Sequence, residues 1–424
     1  LAIDASSLQG TAMSVRYLEK LHVENVRKFE TLNIEFGPSF NFIAGPNGCG
    51  KTSVLVCIAH CFDVSGVGYS TVSEQSVMWI DMVDGDDKLR IGLGKNSLSG
   101  GYRKGSFKIG NQGVSVEEGR QYIKTYEDRA ESLSPLFIGA NRSIRYKLIE
   151  GVARELPVED AIKTYRKNSV KSLHGEWAGD IKQWLVNRYF IIDKDWAAVE
   201  RENFSRFTDA LQYIGPDGSD FKFIEIGRDL EPIFSIYGRR CYLEELSSGF
   251  QAVFTIIVMI FEWVETTSQS NRLAATASGT VLIDELDLHL HPEWQFTLRD
   301  GLLKLFPKLQ FIVTTHSPHL LASAKENEVL IMPANAVGGE ITSSDQLYSG
   351  WSTDQILTDV MDVKSLENKD YQRLIGAAIS KAEERDLGAL EEAIASLERV
   401  AHPSDTIVIV LKAKLASLVA LKDD

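Results

Sequence analysis

Residues Gly45 to Thr52 read GPNGCGKT. The octapeptide fits G-x-x-x-x-G-K-[ST], the pattern of a loop that wraps phosphate. Its flanks are those the pattern demands. The apolar run Phe40–Ala44 (FNFIA) predicts a strand leading into it, and the apolar spacing from Lys51 to Phe62 predicts a helix leaving it. Glycines let successive backbone N–H groups close on a phosphate, and the helix start adds a positive pole. Asn47, Gly48, Cys49, Gly50, Lys51, Thr52 and Ser53 are the candidate binding residues for ATP, with Lys51 reaching the β- and γ-phosphates and Thr52 holding Mg²⁺.

A phosphate loop of this kind needs an acidic strand end. TVLIDE, residues 280–285, places Asp284 and Glu285 after four apolar residues. Asp284 is the second candidate Mg²⁺ ligand, and Glu285 the candidate that polarises the attacking water. QFIVTTHSPHLL, residues 310–321, is another apolar run ending in polar residues, and its His316 falls where strand meets loop. Continuous apolar runs of this type predict parallel strands buried on both faces. His289 and His291 alternate in DLHLHPEW with no third ligand beside them. They read as loop residues at a subunit contact.

LEELSSGFQAVF, residues 243–254, interrupts an apolar helix with Ser247, Ser248 and Gly249. Small residues at a helix start offer a hydroxyl and bare N–H groups to an anion. A single phosphate-loop domain has no use for them, whereas two heads that sandwich nucleotide do. Leu98–Gly101 (LSGG) is nominally a closer match to the same motif, but it lies among hairpin segments and reads as a turn.

The order of phosphate loop, L-S-x-G, acidic strand and strand-His resembles the ABC-type ATPase heads of the SMC, RecF and OLD group. The resemblance covers most of residues 15–335. HVENVRKFETLNIEF resembles that group's N-terminal strand pair, LIDELDLHLHPEWQ its Walker B and D-loop, and TTHSP its switch-histidine loop. It implies an α/β fold: an ABC-type P-loop head with an antiparallel β subdomain, a helical insertion and a C-terminal helical tail. It also implies hydrolysis of ATP with Mg²⁺, catalytic roles for Glu285 and His316, and a homodimer, or a higher oligomer built from it. In that pairing Ser247, Ser248 and Gly249 of one subunit meet the ATP of the other. The sequence departs from the group at Phe250, where glutamine is usual, with Gln251 one residue later. No glutamine stands clearly at the Q-loop; FIGANRS offers Asn141 or Arg142 instead.

The chain has 424 residues, a net charge of −14 and four cysteines with no C-x-x-C pair. These features fit a globular protein of several domains in a reducing cytoplasm, and they speak against a nucleic-acid coat protein, a disulfide scaffold or a thiolate zinc site. Residues 1–12 read as an expression remnant, and no secretory signal is expected. Residues 13–146 are expected to form an N-terminal lobe, 147–214 a helical insertion, 215–345 a C-terminal lobe and 346–424 a helical tail. Hairpins are expected within 66–116, a helix over Glu117–Glu131, a strand over 135–140, and strands at FKFIEI and CYLEEL. Ala252–Ile260 is too short to span a bilayer, so no membrane partner is expected.

The tail lacks the acidic pattern of a Toprim nuclease, and the insertion is too short for a coiled-coil arm. What remains resembles the ATPase subunits of Septu or retron-associated anti-phage systems, which implies a separate effector such as an HNH nuclease or a toxin. A RecF-like repair ATPase binding DNA directly is the first alternative, and an ATP-stabilised scaffold without hydrolysis the second. Lys163–Trp177 is the candidate DNA contact beside its reading as a solvated helix face. An apolar stripe at Trp351, Ile356, Leu357, Val360 and Met361 either recruits the effector or packs on its own head.

Overall fold

The computed structural model describes residues 15–63, 72–93, 120–124, 128–216, 218–267, 271–334, 338–363, 369–403 and 405–420. The chain divides into two units at Asp362/Val363.

Two six-stranded sheets build the first unit. The expected N-terminal strand pair is present as β1 (Arg16–Val26) and β2 (Phe29–Glu35), antiparallel, with Leu21 opposite Ile34. β1 also pairs antiparallel with β4 (Val72–Asp84), which turns into β5 (Asp87–Leu93). The second sheet has the order β15-β13-β3-β12-β11-β7, with β13 (Val329–Ile331) and β15 (Ser343–Ser344) at one edge. Its core strands β3 (Phe40–Ala44), β12 (Leu309–Thr314), β11 (Gly279–Ile283) and β7 (Leu136–Ile138) run parallel and are buried along their whole length. That burial is why they read as unbroken apolar runs. Gln310, fully buried in β12, staples the sheets together: its Nε2 donates to Leu18 O at 2.8 Å and Gly37 O at 2.7 Å, and its Oε1 accepts from Leu18 N at 2.8 Å.

Helix α1 (Lys51–Phe62) buries ten of its twelve residues and shares one apolar core with strands of both sheets. Being enveloped, it has no broad polar face, yet its span is the one the apolar spacing predicted. A second core gathers around α6 (Ser248–Thr267), where Phe254 and Phe261 meet Phe207 of α5 (Ala198–Ile214), and Trp184 of α4 (Ile181–Ile191) stacks on Phe261. α6 is twenty residues long, more than twice the apolar run seen in the sequence. It is long and apolar enough to cross a membrane by length and composition, and most of it is buried inside the protein.

Three expectations are corrected, and one alternative left open is decided. Glu117–Glu131 is not one helix: β6 (Gln121–Lys124) is a strand parallel to β5, and α2 covers Asp128–Leu133. Ile123, 1% exposed, pairs with Ile91 at the sheet edge, so pairing overrides the local pattern. The helical insertion opens not at 147 but with α3 (Val158–Leu173), because residues 147–157 are irregular. Side-chain amides of α4 take their backbone groups instead: Asn187 Oδ1 accepts from Ala153 N at 2.9 Å and Gln183 Nε2 donates to Gly151 O at 2.9 Å. CYLEEL ends its strand at Tyr242 as β10 (Arg239–Tyr242), and Leu243–Glu245 is a 3₁₀ turn. The stripe at 351–361 is not a free face, because Ile356, Val360 and Met361 are buried in the first unit around α9 (Thr353–Asp359). Between β8 (Lys222–Ile226) and β10 the structure adds a strand that the sequence did not announce, β9 (Pro232–Ile236). Leu98–Gly101 and most of the expected 66–116 hairpins lie outside the described residues.

The second unit holds α10 (Lys369–Glu384), α11 (Leu387–Glu398) and α12 (Thr406–Ala420). They enclose their own small core, which includes Ala378, Leu390, Leu397 and Leu411.

Candidate functional site

The phosphate-loop residues sit where β3 hands over to α1. Asn47 and Gly48 are exposed, and Cys49 is buried. At Gly48 the backbone has φ +74°, and a Cβ there would meet nothing within 4 Å. Gly50, at φ +105°, has no such room, since a Cβ would come within 2.7 Å of Phe29 Cζ. The turn between β1 and β2 therefore packs on the loop. From it Lys28 Nζ donates to Gly48 O at 2.9 Å and Arg27 Nη1 to Ser53 Oγ at 2.9 Å. Sequence reasoning missed both cations. The Arg-Lys pair in the turn of NVRKFE was the signal on offer.

Lys51 is 5% exposed, and its ammonium donates to Gly45 O at 2.8 Å and Pro46 O at 3.0 Å. Burial pulls its pKa below the usual lysine range, and the nearby thiol of Cys49 and carboxylates of Asp287 and Asp284 work against that shift. Thr52 Oγ1 donates to Asp284 at 3.0 and 3.1 Å. Residues 232 positions apart thus meet where the second sheet's strands end.

Glu285 follows Asp284 in a left-handed conformation, φ +50°. Thr314, at the end of β12, bridges the two acidic residues: its hydroxyl donates to Asp284 Oδ1 at 2.6 Å and accepts from Glu285 N at 2.7 Å. Asp287 Oδ1 accepts from Thr315 Oγ1 at 2.6 Å and His316 N at 3.1 Å. His316 is exposed, and its pKa is lowered first by partial burial and then by the Lys51 charge, against Asp287, Glu285 and Asp284. The shift favours the neutral imidazole.

Of the two Q-loop candidates, Asn141 turns away and donates to Gly175 O at 3.0 Å. Arg142 goes under the acidic turn. Its Nε donates to Gly139 O at 3.0 Å and its Nη2 to Glu285 O at 3.0 Å and to Asp284 O. Burial lowers its pKa to about 10, with the Asp284, Asp287 and Glu285 carboxylates opposing that. Nothing in the sequence marks an arginine that pairs with main-chain carbonyls.

Ser247 and Ser248 are exposed at the start of α6, while Gly249 is buried. Among the described residues no hydrogen bond joins Ser247–Gly249 to the phosphate loop of the same chain. Phe250, standing where glutamine was expected, packs on Trp294 and Phe221 with ring centroids at 4.5 and 4.9 Å. Gln251 supplies the polar contacts instead, donating to Leu246 O at 2.9 Å and Glu244 O at 3.1 Å and accepting from Ile144 N at 3.1 Å.

At the candidate DNA contact, Lys163, Lys167 and Lys171 are exposed on α3 at intervals of four. The interleaved aromatics do not share that face. Tyr165 is buried, its hydroxyl on Met259 O and Glu262, and Trp177 packs edge-on against it. The stripe can attract phosphate, but it offers no stacking platform.

The donor set fits a nucleotide triphosphate with Mg²⁺. Thr52 and Asp284 are hard oxygen donors in mutual contact, as Mg²⁺ prefers. Gly48 leaves open space above the loop, and a buried ammonium lies beneath it.

The chain is similar to the Septu protein PtuA of Bacillus thuringiensis, 26% identical over 411 residues that cover 94% of this chain and 98% of that protein. It is similar to the Retron Ec83 probable ATPase of Escherichia coli, 22% identical over 507 residues, covering 97% and 88%. Among solved structures, the SmcHead bound to the C-winged helix domain of ScpA aligns over 78% of this chain and 96% of its own, at 16% identity and TM-score 0.40. Residues 40–322, well over half of the chain, match the AAA_21 family, described as "AAA domain, putative AbiEii toxin, Type IV TA system", and the chain belongs to that family.

Proposed function

We propose that the protein binds ATP with Mg²⁺ and hydrolyses it between two paired heads, and that this cycle regulates a separate effector, a nuclease or toxin, in anti-phage defence. The observation that carries the ATPase reading is the contact of Thr52 with Asp284, which joins the phosphate loop to the acidic strand end. The defence role is supported by the likeness to a Septu protein and a retron ATPase over nearly the whole chain.

Mg²⁺, when bound with ATP, neutralises phosphate charge during transfer. The remaining roles belong to the chain. Thr52 and Asp284 hold the ion, and Lys51 supplies a cation held in place by two loop carbonyls. Glu285 orients water and accepts its proton. His316, neutral and flanked by Lys51 and Asp287, offers a hydrogen bond at the γ-phosphate side. Ser247 and Ser248 lie exposed at the start of α6, with the buried Gly249 behind them, ready to close over the nucleotide of a second copy.

Positioned proton abstraction contributes about 10²–10⁴-fold in rate. Glu285→Gln is therefore expected to lose most phosphate release while still binding ATP, and Lys51→Ala to lose binding itself. Steady-state phosphate release and equilibrium binding of a fluorescent ATP analogue test both. Wild-type turnover in Glu285→Gln would overturn the assignment.

A further inference from the structure

We propose that Arg142 is a positioning residue for hydrolysis, clamping the Asp284–Glu285 turn from behind, and that Gln251 couples this clamp to the signature loop of the same head. The inference rests on the reading of Glu285 and Ser247–Gly249 given above.

Arg142 is 2% exposed, yet among the described residues it makes no ion pair within hydrogen-bond distance. Its guanidinium spends its donors on three main-chain carbonyls, those of Gly139, Asp284 and Glu285. Its Nη1 is buried with no hydrogen-bond partner. Burying a cation in this way is unfavourable, and an apolar side chain would fill the same space without that cost. What the arginine does, and an apolar residue could not, is hold two consecutive carbonyls on one side of the turn. Glu285 sits between them at φ +50°, a left-handed conformation that is strained for a non-glycine residue. Strain of this kind persists only where surrounding contacts over-determine it. Here Arg142 holds the carbonyl side and Thr314 the N–H side of the same residue.

The clamp is itself tied to α6. Thr255 Oγ1 donates to Arg142 O at 3.3 Å, and Gln251 Oε1 accepts from Ile144 N at 3.1 Å. Residues 251 and 255 are one helical turn apart, so a single face of α6 grips residues 142–144. The amide of Gln251 also grips Leu246 O and Glu244 O, just before Ser247. A shift of the signature loop on pairing therefore reaches the Glu285 carbonyl through two side chains.

The test uses the full chain carrying Arg142→Lys or Gln251→Ala, each alone and combined with Glu285→Gln, in single-turnover and steady-state assays. Lysine keeps the charge but cannot span three carbonyls. The expected result for each single variant is a kcat lowered roughly tenfold or more. KM for ATP and directly measured ATP binding should stay within about twofold, the pattern of an interaction made only in the transition state. In the Glu285→Gln background the same substitutions should cost no further rate, because they act through Glu285. Additive losses in the two backgrounds, or a lowered melting temperature with unchanged kcat per folded molecule, would overturn the inference. If Arg142→Lys does not fold, Gln251→Ala at its half-buried site decides the matter by the same criteria. Wild-type turnover in Glu285→Gln alone removes the reading beneath. Loss of turnover there, with wild-type kcat in Arg142→Lys, removes only this inference.

Discussion

At Gly249 packing alone excludes a side chain. A Cβ at this position would stand 2.9 Å from the carbonyl oxygen of His289 and 3.1 Å from Trp294 Cζ3. The signature glycine is therefore required by the fold of its own head before any second head arrives. Gly249→Ala is expected to destabilise the isolated protein by about 1–3 kcal/mol, the usual range for overpacking. Urea unfolding measures this, and unchanged stability would confine the role of Gly249 to pairing. At this scale the sequence was readable where chemistry imposes spacing. Lys51, Thr52, Asp284 and His316 all fall within one connected cluster. It was unreadable where a side chain answers the main chain. Thr314 bonds to an N–H that every residue has, so no residue pattern announces it, and Arg142, named only as a Q-loop candidate, holds main-chain carbonyls instead. Phe250 looked like a lapse in the motif and is a core residue, with Gln251 taking up the polar work.

Among the elements, those buried on all sides were legible as apolar runs, and β3, β11, β12 and α1 all fall where the sequence placed them. β11 and β12 could be identified because short apolar runs ended in polar residues at the sheet's ligand edge. β6 could not, because Gln121–Lys124 is a strand only by virtue of its neighbour β5. Helix α1 carries a further consequence of full burial. His60 lies in it with no exposed surface, and burial lowers its pKa to about 4, with Asp63 opposing. The folded state stays unprotonated where the unfolded chain, at the ordinary histidine value, takes up a proton. Stability from this group is thus complete above about pH 6.5 and is lost as pH falls toward 4. At about 1.4 kcal/mol per pKa unit, the loss is of order 3 kcal/mol. Unfolding measured at pH 7 and pH 4.5 should show a smaller acid loss in His60→Gln than in wild type. Equal losses would mean that His60 titrates normally.

For the whole molecule, the boundary at Asp362/Val363 separates the ATP motifs from a helical unit with its own core. The first unit keeps α9 and its apolar stripe, so docking of an effector through that stripe is closed off. α12 is a better candidate surface, since Ile409 and Val410 are 56% and 60% exposed on it. A chain ending at Asp362 is expected to remain soluble and to turn over ATP, because each unit has its own core. An insoluble product would show that the second unit is needed for folding. The central claim, though, is that each catalytic site takes its signature from a second copy. The direct measurement is phosphate release by Lys51→Ala and Ser248→Arg, alone and mixed in equal amounts with ATP and Mg²⁺. Each variant alone should be inactive. The mixture should recover part of the wild-type rate, because a mixed pair holds one intact phosphate loop facing one intact signature. Wild-type turnover by Ser248→Arg alone, or a mixture as inactive as its parts, would contradict the account.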